Sequence, residues 1–346
     1  MPHNQNQFES FHESIKLSDG SEILREKRDI IVKRLTDKMP EAAKPYTRFN
    51  QGSYAMKTGI KPLDGNYDID LGLFFEMAKD DVKTPVEAKK WVYDALVGHT
   101  ASVIMKQPCV TVTYTAGYHI DVTIYASKND DGKVYLAKGK LASSSENYSW
   151  DESNPKELIS KIREKYTDPQ DRKQFRRLVR YLKRWKDFQF KDSAYGKPTG
   201  IALTSMIYHY MTVKTEIIDA FSGEKKYRDG DALIHLLEVF LLTFTTKWEE
   251  KDGKLVEYPY VEIKLPVAPY PNLLQKMSLN QIKVFKEKLE KLRDCLLDAK
   301  AEVDISDGAT ILRKQFGDDF PVPPKDPGKR ANAPAVIPST ESASKK

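Results

Sequence analysis

The sequence predicts an α+β protein: a small mixed sheet with flanking helices, followed by a mostly helical C-terminal region. Three observations predict it. Residues 45–75 and 109–136 alternate β-branched or aromatic residues with polar ones, as half-buried strands do. From residue 154 onward the apolar residues recur at helical spacing. The chain has 346 residues, long for one core and comfortable for two lobes.

The elements follow in order. Residues 8–39 read as helix, with Phe8, Phe11, Ile15, Ile23, Leu24, Ile31 and Leu35 at helical spacing and a break near Ser18–Gly20. Gly65-Asn66 marks a turn before a strand that begins at Tyr67. Thr84-Pro85 is an N-cap and first-turn proline for a helix over 84–98. Residues 109–114 and 118–125, separated by Thr115-Ala-Gly117, predict a hairpin. A further strand is expected at 134–136, and helices at 155–166, 169–187, 199–214, 228–247, 279–299 and 303–316. Residues 251–271 are proline-rich and lean to strand. The resulting division is an N-terminal helical spine (1–40), a sheet lobe (41–150), a helical lobe (151–320) and a disordered tail (321–346).

Composition excludes several classes. Hydrophobic residues make up 40% and charged residues 31%, with a net charge of +6 that suits polyanionic ligands. No apolar run is long enough to span a bilayer, and the first residues have no signal-peptide character. Two cysteines, Cys109 and Cys295, cannot build a disulfide framework, so a cytoplasmic protein is expected. No Cys/His grouping has structural-zinc spacing.

The chemistry is carried by Phe49-Asn-Gln-Gly-Ser-Tyr-Ala-Met-Lys-Thr58 and Tyr67-Asp-Ile-Asp-Leu-Gly72. Asp68 and Asp70 lie two apart on a strand and project together. Paired carboxylates repel unless a cation sits between them, and Mg²⁺ suits oxygen ligands that share it with phosphates. Asp121, on the alternating strand His119–Tyr125, supplies a third carboxylate if the two strands are neighbours. Three suffice for two metal ions roughly 3.5–4 Å apart. Asp121 also suits a general base for an attacking hydroxyl. Gly52-Ser53 offers backbone N–H groups and a hydroxyl to a phosphate. His119 and His209 read as structural.

These residues resemble the DNA polymerase β-like nucleotidyltransferases, whose pattern is h-G-S, then [DE]-h-[DE], then h-[DE]-h. Within that superfamily they are most similar to the bacterial cGAS/DncV-like nucleotidyltransferases, or CD-NTases, and the resemblance covers about residues 10–320. It implies a bilobal polymerase β-like fold of the OAS/cGAS type. It implies Asp68, Asp70 and Asp121 as ligands of two Mg²⁺ ions, with Mn²⁺ able to substitute. It places Gln51 and Ser53 in the donor nucleotide site; beside them Gly52 lets the backbone approach the phosphate, and the Tyr54 ring is open to two readings, stacking on a base or packing on the sheet. It also implies a triphosphate clamp on the basic helix 169–187, with Arg180 and Lys183, and on the next helix start, where Thr199 stands in place of the usual Ser.

The activity implied is synthesis of a cyclic di- or trinucleotide messenger from ATP and GTP, such as cyclic GMP-AMP, in CBASS anti-phage defence. A cyclic nucleotide-responsive effector would act downstream, and HORMA-type or ubiquitin-ligation-like proteins would be partners. No zinc insert for double-stranded DNA is present. Two alternatives stay open on the residues alone: a transferase making linear 2′–5′ oligoadenylate or extending RNA ends, and a non-catalytic nucleotide-binding protein.

Overall fold

The computed structural model describes residues 4–17, 22–193 and 196–325. Two helices open the chain, α1 (Gln5–Ile15) and α2 (Glu22–Lys38). The expected break at Ser18–Gly20 lies outside the described residues. Phe8, Phe11 and Ile15 of α1 bury into a core of helices, whereas Leu24, Ile31 and Leu35 of α2 bury against a sheet. The spine residues thus divide between two hydrophobic cores.

The sheet contains β1 (Tyr46–Gln51), β2 (Tyr67–Phe75), β3 (Ser102–Met105), β4 (Val110–Tyr114), β5 (Tyr118–Ala126), β6 (Tyr135–Lys138) and β7 (Ser149–Glu152). Its main order is β1-β2-β5-β4-β3, and β6 and β7 extend it from the end of β5. A one-turn helix α3 (Gly52–Ala55) follows β1, and α4 (Pro85–Leu96) crosses between β2 and β3. The hydroxyl of Thr84 accepts the Glu87 N–H at 3.2 Å and Pro85 fills the first position, so α4 starts where the sequence places it.

One pairing has consequences for function. β2 and β5 run parallel, with Asp70 opposite Asp121 and Asp68 opposite His119. Ile69, Leu71 and Leu73 of β2, with Ile120, Val122 and Ile124 of β5, are buried in the core beneath α2 and α4. Period-two alternation then sends all three aspartates to the other face.

The helical core is built on α5 (Pro155–Arg163), α6 (Pro169–Gln189), α7 (Gly200–Tyr210), α8 (Asp229–Leu241), α9 (Leu279–Ala301) and α10 (Ile305–Phe316). Phe175, Leu178, Tyr181, Leu182 and Trp185 give α6 one fully buried face. The helix expected over 228–247 is shorter than the sequence suggests. It stops at Leu241, and β10 (Thr245–Lys251) pairs with β11 (Lys254–Tyr260). Asp252 and Gly253, both at positive φ, form the tight turn, a strong hairpin signal. A second hairpin, β8 (Thr215–Asp219) with β9 (Glu224–Tyr227), was not expected, because its exposed strands lack an apolar face. The tail expectation also needs correction. Val322 packs on the helical core and Lys325 pairs with Asp307 at 2.7 Å, while residues from 326 on lie outside those described. Among the described residues no helix is long and apolar enough to cross a membrane.

Candidate active site

A cleft of about 990 Å³ lies between the aspartate face of the sheet, the start of α5, and one side of α6 and α7. Asp68, Asp70, Asp121, Gln51, Gly52, Ser53 and Lys183 all line it. The carboxylates come from adjacent strands in register, so the parallel pairing brings Asp70 together with Asp121, 51 positions further on.

Burial, with repulsion from Asp121, holds Asp68 above the usual carboxylate range. The same causes, joined by repulsion from Asp68, push Asp70 up to about 6. Asp121 is more open. The Thr111 hydroxyl donates to its Oδ1 at 2.5 Å, and the Lys106 Nζ lies 3.9 Å from that oxygen. Among the described residues no three His, Cys, Asp or Glu side chains close a metal shell by themselves. Mg²⁺ does not require that, since it binds through one or two carboxylates together with substrate phosphates and water. A divalent cation is also what relieves the repulsion that raises Asp68 and Asp70. The donor set therefore fits such an ion.

Gly52 closes the turn onto this centre. Its φ is +66°, and a Cβ there would lie 1.7 Å from the Asp70 Oδ2. Both the conformation and the close approach require glycine. Gly52→Ala is expected to destabilise the fold by roughly 1–3 kcal/mol and to displace Asp70. A denaturant midpoint within error of wild type would contradict this.

Gln51 is almost wholly buried. Its amide donates to the Thr123 hydroxyl, and its carbonyl accepts the Tyr125 hydroxyl at 3.0 Å. It fixes the end of β1 beside Asp70, its register partner. Lys183 is buried on α6, and its ammonium donates to the Thr58 carbonyl at 3.0 Å. Burial, then the neighbouring Lys186 and Arg180, lowers it to about 7.

Three residues assigned from the sequence stand outside the cleft lining. Tyr54 does not line the cleft, and its hydroxyl accepts from Arg25 Nε at 3.4 Å. Arg180 is also outside the lining. It donates to the carbonyls of Gly59 at 3.1 Å and Lys57 at 2.6 Å, so it ties α6 to the loop after α3. Thr199 caps α7, its hydroxyl accepting the Ala202 N–H at 3.2 Å, while Gly200 and Ile201 reach the cleft instead. Sequence reasoning missed Lys106, Lys186, Asp187, Lys191 and Lys197, all in the lining. His119, read as structural, lines the cleft as well, and its Nδ1 lies 3.1 Å from the Thr113 hydroxyl. His209 bonds the Lys264 carbonyl at 2.9 Å.

Known proteins share part of this sequence and this fold. Residues 47–125 match the family model "Cyclic GMP-AMP synthase DncV-like, nucleotidyltransferase domain". A cyclic GMP-AMP synthase of Escherichia albertii is 29% identical over 206 residues, a match spanning 56% of this chain but only 44% of that synthase. Among solved structures, the CD-NTase CdnG of Bradyrhizobium diazoefficiens, in complex with GTP, superposes with a TM-score of 0.66 at 15% identity, over 92% of this chain and 96% of that one. CdnC of E. coli MS115-1, solved with ATP, gives 0.65 at 16% identity, over 92% and 98%. The Vibrio cholerae cyclic AMP-GMP synthase DncV gives 0.57 at 19% identity, over 92% and 87%. Residues 47–125 are therefore similar to a DncV-like nucleotidyltransferase domain, set in a chain that shares the fold of CdnG, CdnC and DncV.

Proposed function

We propose that the chain is a nucleotidyltransferase that joins two nucleoside triphosphates into a cyclic dinucleotide, releasing pyrophosphate at each bond. The observation that carries this is the in-register pair Asp70 and Asp121 with Asp68 beside them, under the turn at Gly52. The cleft volume of about 990 Å³ stands at the upper end of small-molecule pockets, roughly 300–1,000 Å³, which favours more than one nucleotide.

Asp68, Asp70 and Asp121 would hold Mg²⁺. When bound, the ions neutralise phosphate charge and orient the triphosphate. The backbone turn at Gly52-Ser53 and Lys183 face the triphosphate from two sides. Asp121 takes the proton of the attacking ribose hydroxyl. The oxygen then bonds to the α-phosphorus as the bond to pyrophosphate breaks. A second transfer, with the linear intermediate turned round, closes the ring at the same centre. Sheet residues 41–150 supply the carboxylates, and helical residues 151–320 supply the cationic wall. The GTP and ATP bound by CdnG and CdnC, together with the cyclic GMP-AMP synthase likeness, favour a purine product such as cyclic GMP-AMP. A role in anti-phage signalling through a nucleotide-responsive effector belongs to the same reading.

Incubation with all four NTPs and Mg²⁺, followed by nuclease digestion and mass spectrometry, is expected to yield a cyclic dinucleotide. CdnC has been solved as a HORMA complex, so a HORMA-type regulator is the activator to add when the isolated chain is slow. Linear oligonucleotides, or dependence on added RNA, would overturn the cyclase reading. Absence of pyrophosphate with Mg²⁺ or Mn²⁺, with and without the regulator, would overturn the transferase reading.

A further inference from the structure

Lys89 is a charged residue with no exposed surface, placed on α4 behind the sheet. Its ammonium donates to three backbone carbonyls, those of Lys106 at 2.5 Å, Gln107 at 2.9 Å and Gly139 at 2.6 Å. All three donors of an ammonium are thereby used. Burying a lysine is costly unless such partners are present, so the site is a built one. Burial lowers the ammonium to about 8, which leaves it mainly charged at neutral pH and makes each bond charge-assisted.

Two of the three carbonyls belong to the turn between β3 and β4. The Gly139 N–H adds a further bond to the Gln107 carbonyl at 2.9 Å. This turn carries Lys106, whose side chain is half exposed, lines the cleft and lies 3.9 Å from Asp121. Lys106 also acts electrostatically on Asp68, whereas Lys183 acts on Asp70. Two cations thus approach the carboxylates from different parts of the cleft wall. Lys183 stands with the loop that follows Gly52-Ser53, the donor triphosphate turn in the reading above.

Resting on that reading, we propose that Lys106 contacts the phosphates of the second, acceptor nucleotide, and that Lys89 is its positioning residue. Lys89 pins the turn from behind, so the Lys106 ammonium is presented beside the base that deprotonates the acceptor. A flexible lysine on an unpinned turn would bind the same phosphate with a larger entropic cost.

The test measures pyrophosphate release with ATP and GTP, each titrated at saturation of the other. Lys106→Gln is expected to raise KM roughly tenfold for one of the two nucleotides, with kcat within about threefold of wild type. Lys106→Arg should retain most of the affinity. Lys89→Met is expected to shift the same KM, and adding Lys106→Gln to it should change little, because the two act through one contact. A merely structural Lys89 would lower kcat for both nucleotides in proportion to the folded fraction and leave KM alone. Should Lys89→Met fail to fold, Pro108→Gly loosens the same turn from its exposed side and should raise the same KM. Wild-type turnover with unchanged KM values in Lys106→Gln overturns this proposal alone. A wild-type protein silent towards all nucleotides overturns the transferase reading, and this proposal falls with it.

Discussion

Asp70→Asn is expected to remove pyrophosphate release while raising the melting temperature of the metal-free protein. The two effects have one cause. Asp70 is half-buried opposite Asp121 and two residues from Asp68, and desolvation plus that repulsion pushes it up to about 6. Its folded-state value therefore lies above the 3.8 of an ordinary aspartate. The folded protein then binds more protons than the unfolded chain between about pH 4 and 6, so stability falls as pH rises through that window. Above it the ionised carboxylate costs the fold up to about 3 kcal/mol, at 1.36 kcal/mol per pKa unit. Asparagine has nearly the same shape and no charge, so this cost disappears. The same change removes an anionic ligand from the centre, and turnover should drop by more than the roughly 10–100-fold typical of altering a ligand's outer support.

Melting in EDTA and in Mg²⁺ with a non-hydrolysable nucleotide separates the two effects. Wild type should gain stability from ligand by mass action, and Asp70→Asn should gain little. A variant that keeps a tenth of wild-type turnover, or that melts lower than wild type in EDTA, would count against the assigned role of Asp70.

How much of this centre was legible in the sequence depends on range. Asp68, Asp70 and Asp121 were legible because each sits between apolar residues on an alternating strand, and alternation alone fixes the face. Their convergence was not, because the parallel pairing of β2 with β5 is a long-range contact, unlike the local β4–β5 hairpin. The basic helix misled for a related reason. A sequence shows that Arg180 and Lys183 share a face, but not what that face meets. In the fold it meets the backbone of residues 57–61, and Arg180, Lys183 and Arg184 all donate to carbonyls there. Lys106 escaped notice because a lysine in a tight turn carries no periodicity. Most helices were legible from spacing and caps, and the strand lean of residues 251–271 covers β11, whereas β10 was half hidden in the helix expected to 247 and the exposed hairpin β8–β9 left no pattern because its strands lack an apolar face.

Asp229→Ala is expected to cost about 3–5 kcal/mol, a large part of the roughly 5–15 kcal/mol that holds a domain together. Asp229 has no exposed surface and stands at the first position of α8, where a negative charge also suits the helix dipole. Arg177 of α6 grips it with two bonds, Nε to Oδ2 at 2.6 Å and a terminal nitrogen to Oδ1 at 2.8 Å. Gln174 donates to Oδ1 at 3.1 Å, and the Tyr181 hydroxyl lies 3.0 Å from Oδ2. The backbone N–H of Asp229 donates to the Gln5 side chain of α1 at 2.7 Å. One residue thus joins α1, through its backbone N–H, to α6, through its carboxylate, at the start of α8. Alanine would strand a largely buried guanidinium and take an acceptor from the Gln174 amide, while the Tyr181 hydroxyl keeps the Phe8 carbonyl at 2.7 Å; a stranded charge is the expensive way to break an ion pair. Exchanging both partners for apolar residues, Arg177→Met with Asp229→Leu, should recover much of the loss, because the cost lies in the unpaired charge rather than in the missing attraction. Urea denaturation of the single and double variants measures the difference. A loss below about 1 kcal/mol in Asp229→Ala would mean that water reaches Arg177 and replaces the carboxylate. Because α6 also carries Lys183, the destabilised variant should lose nucleotide affinity at temperatures where it is still mostly folded, whereas the apolar double variant should regain it.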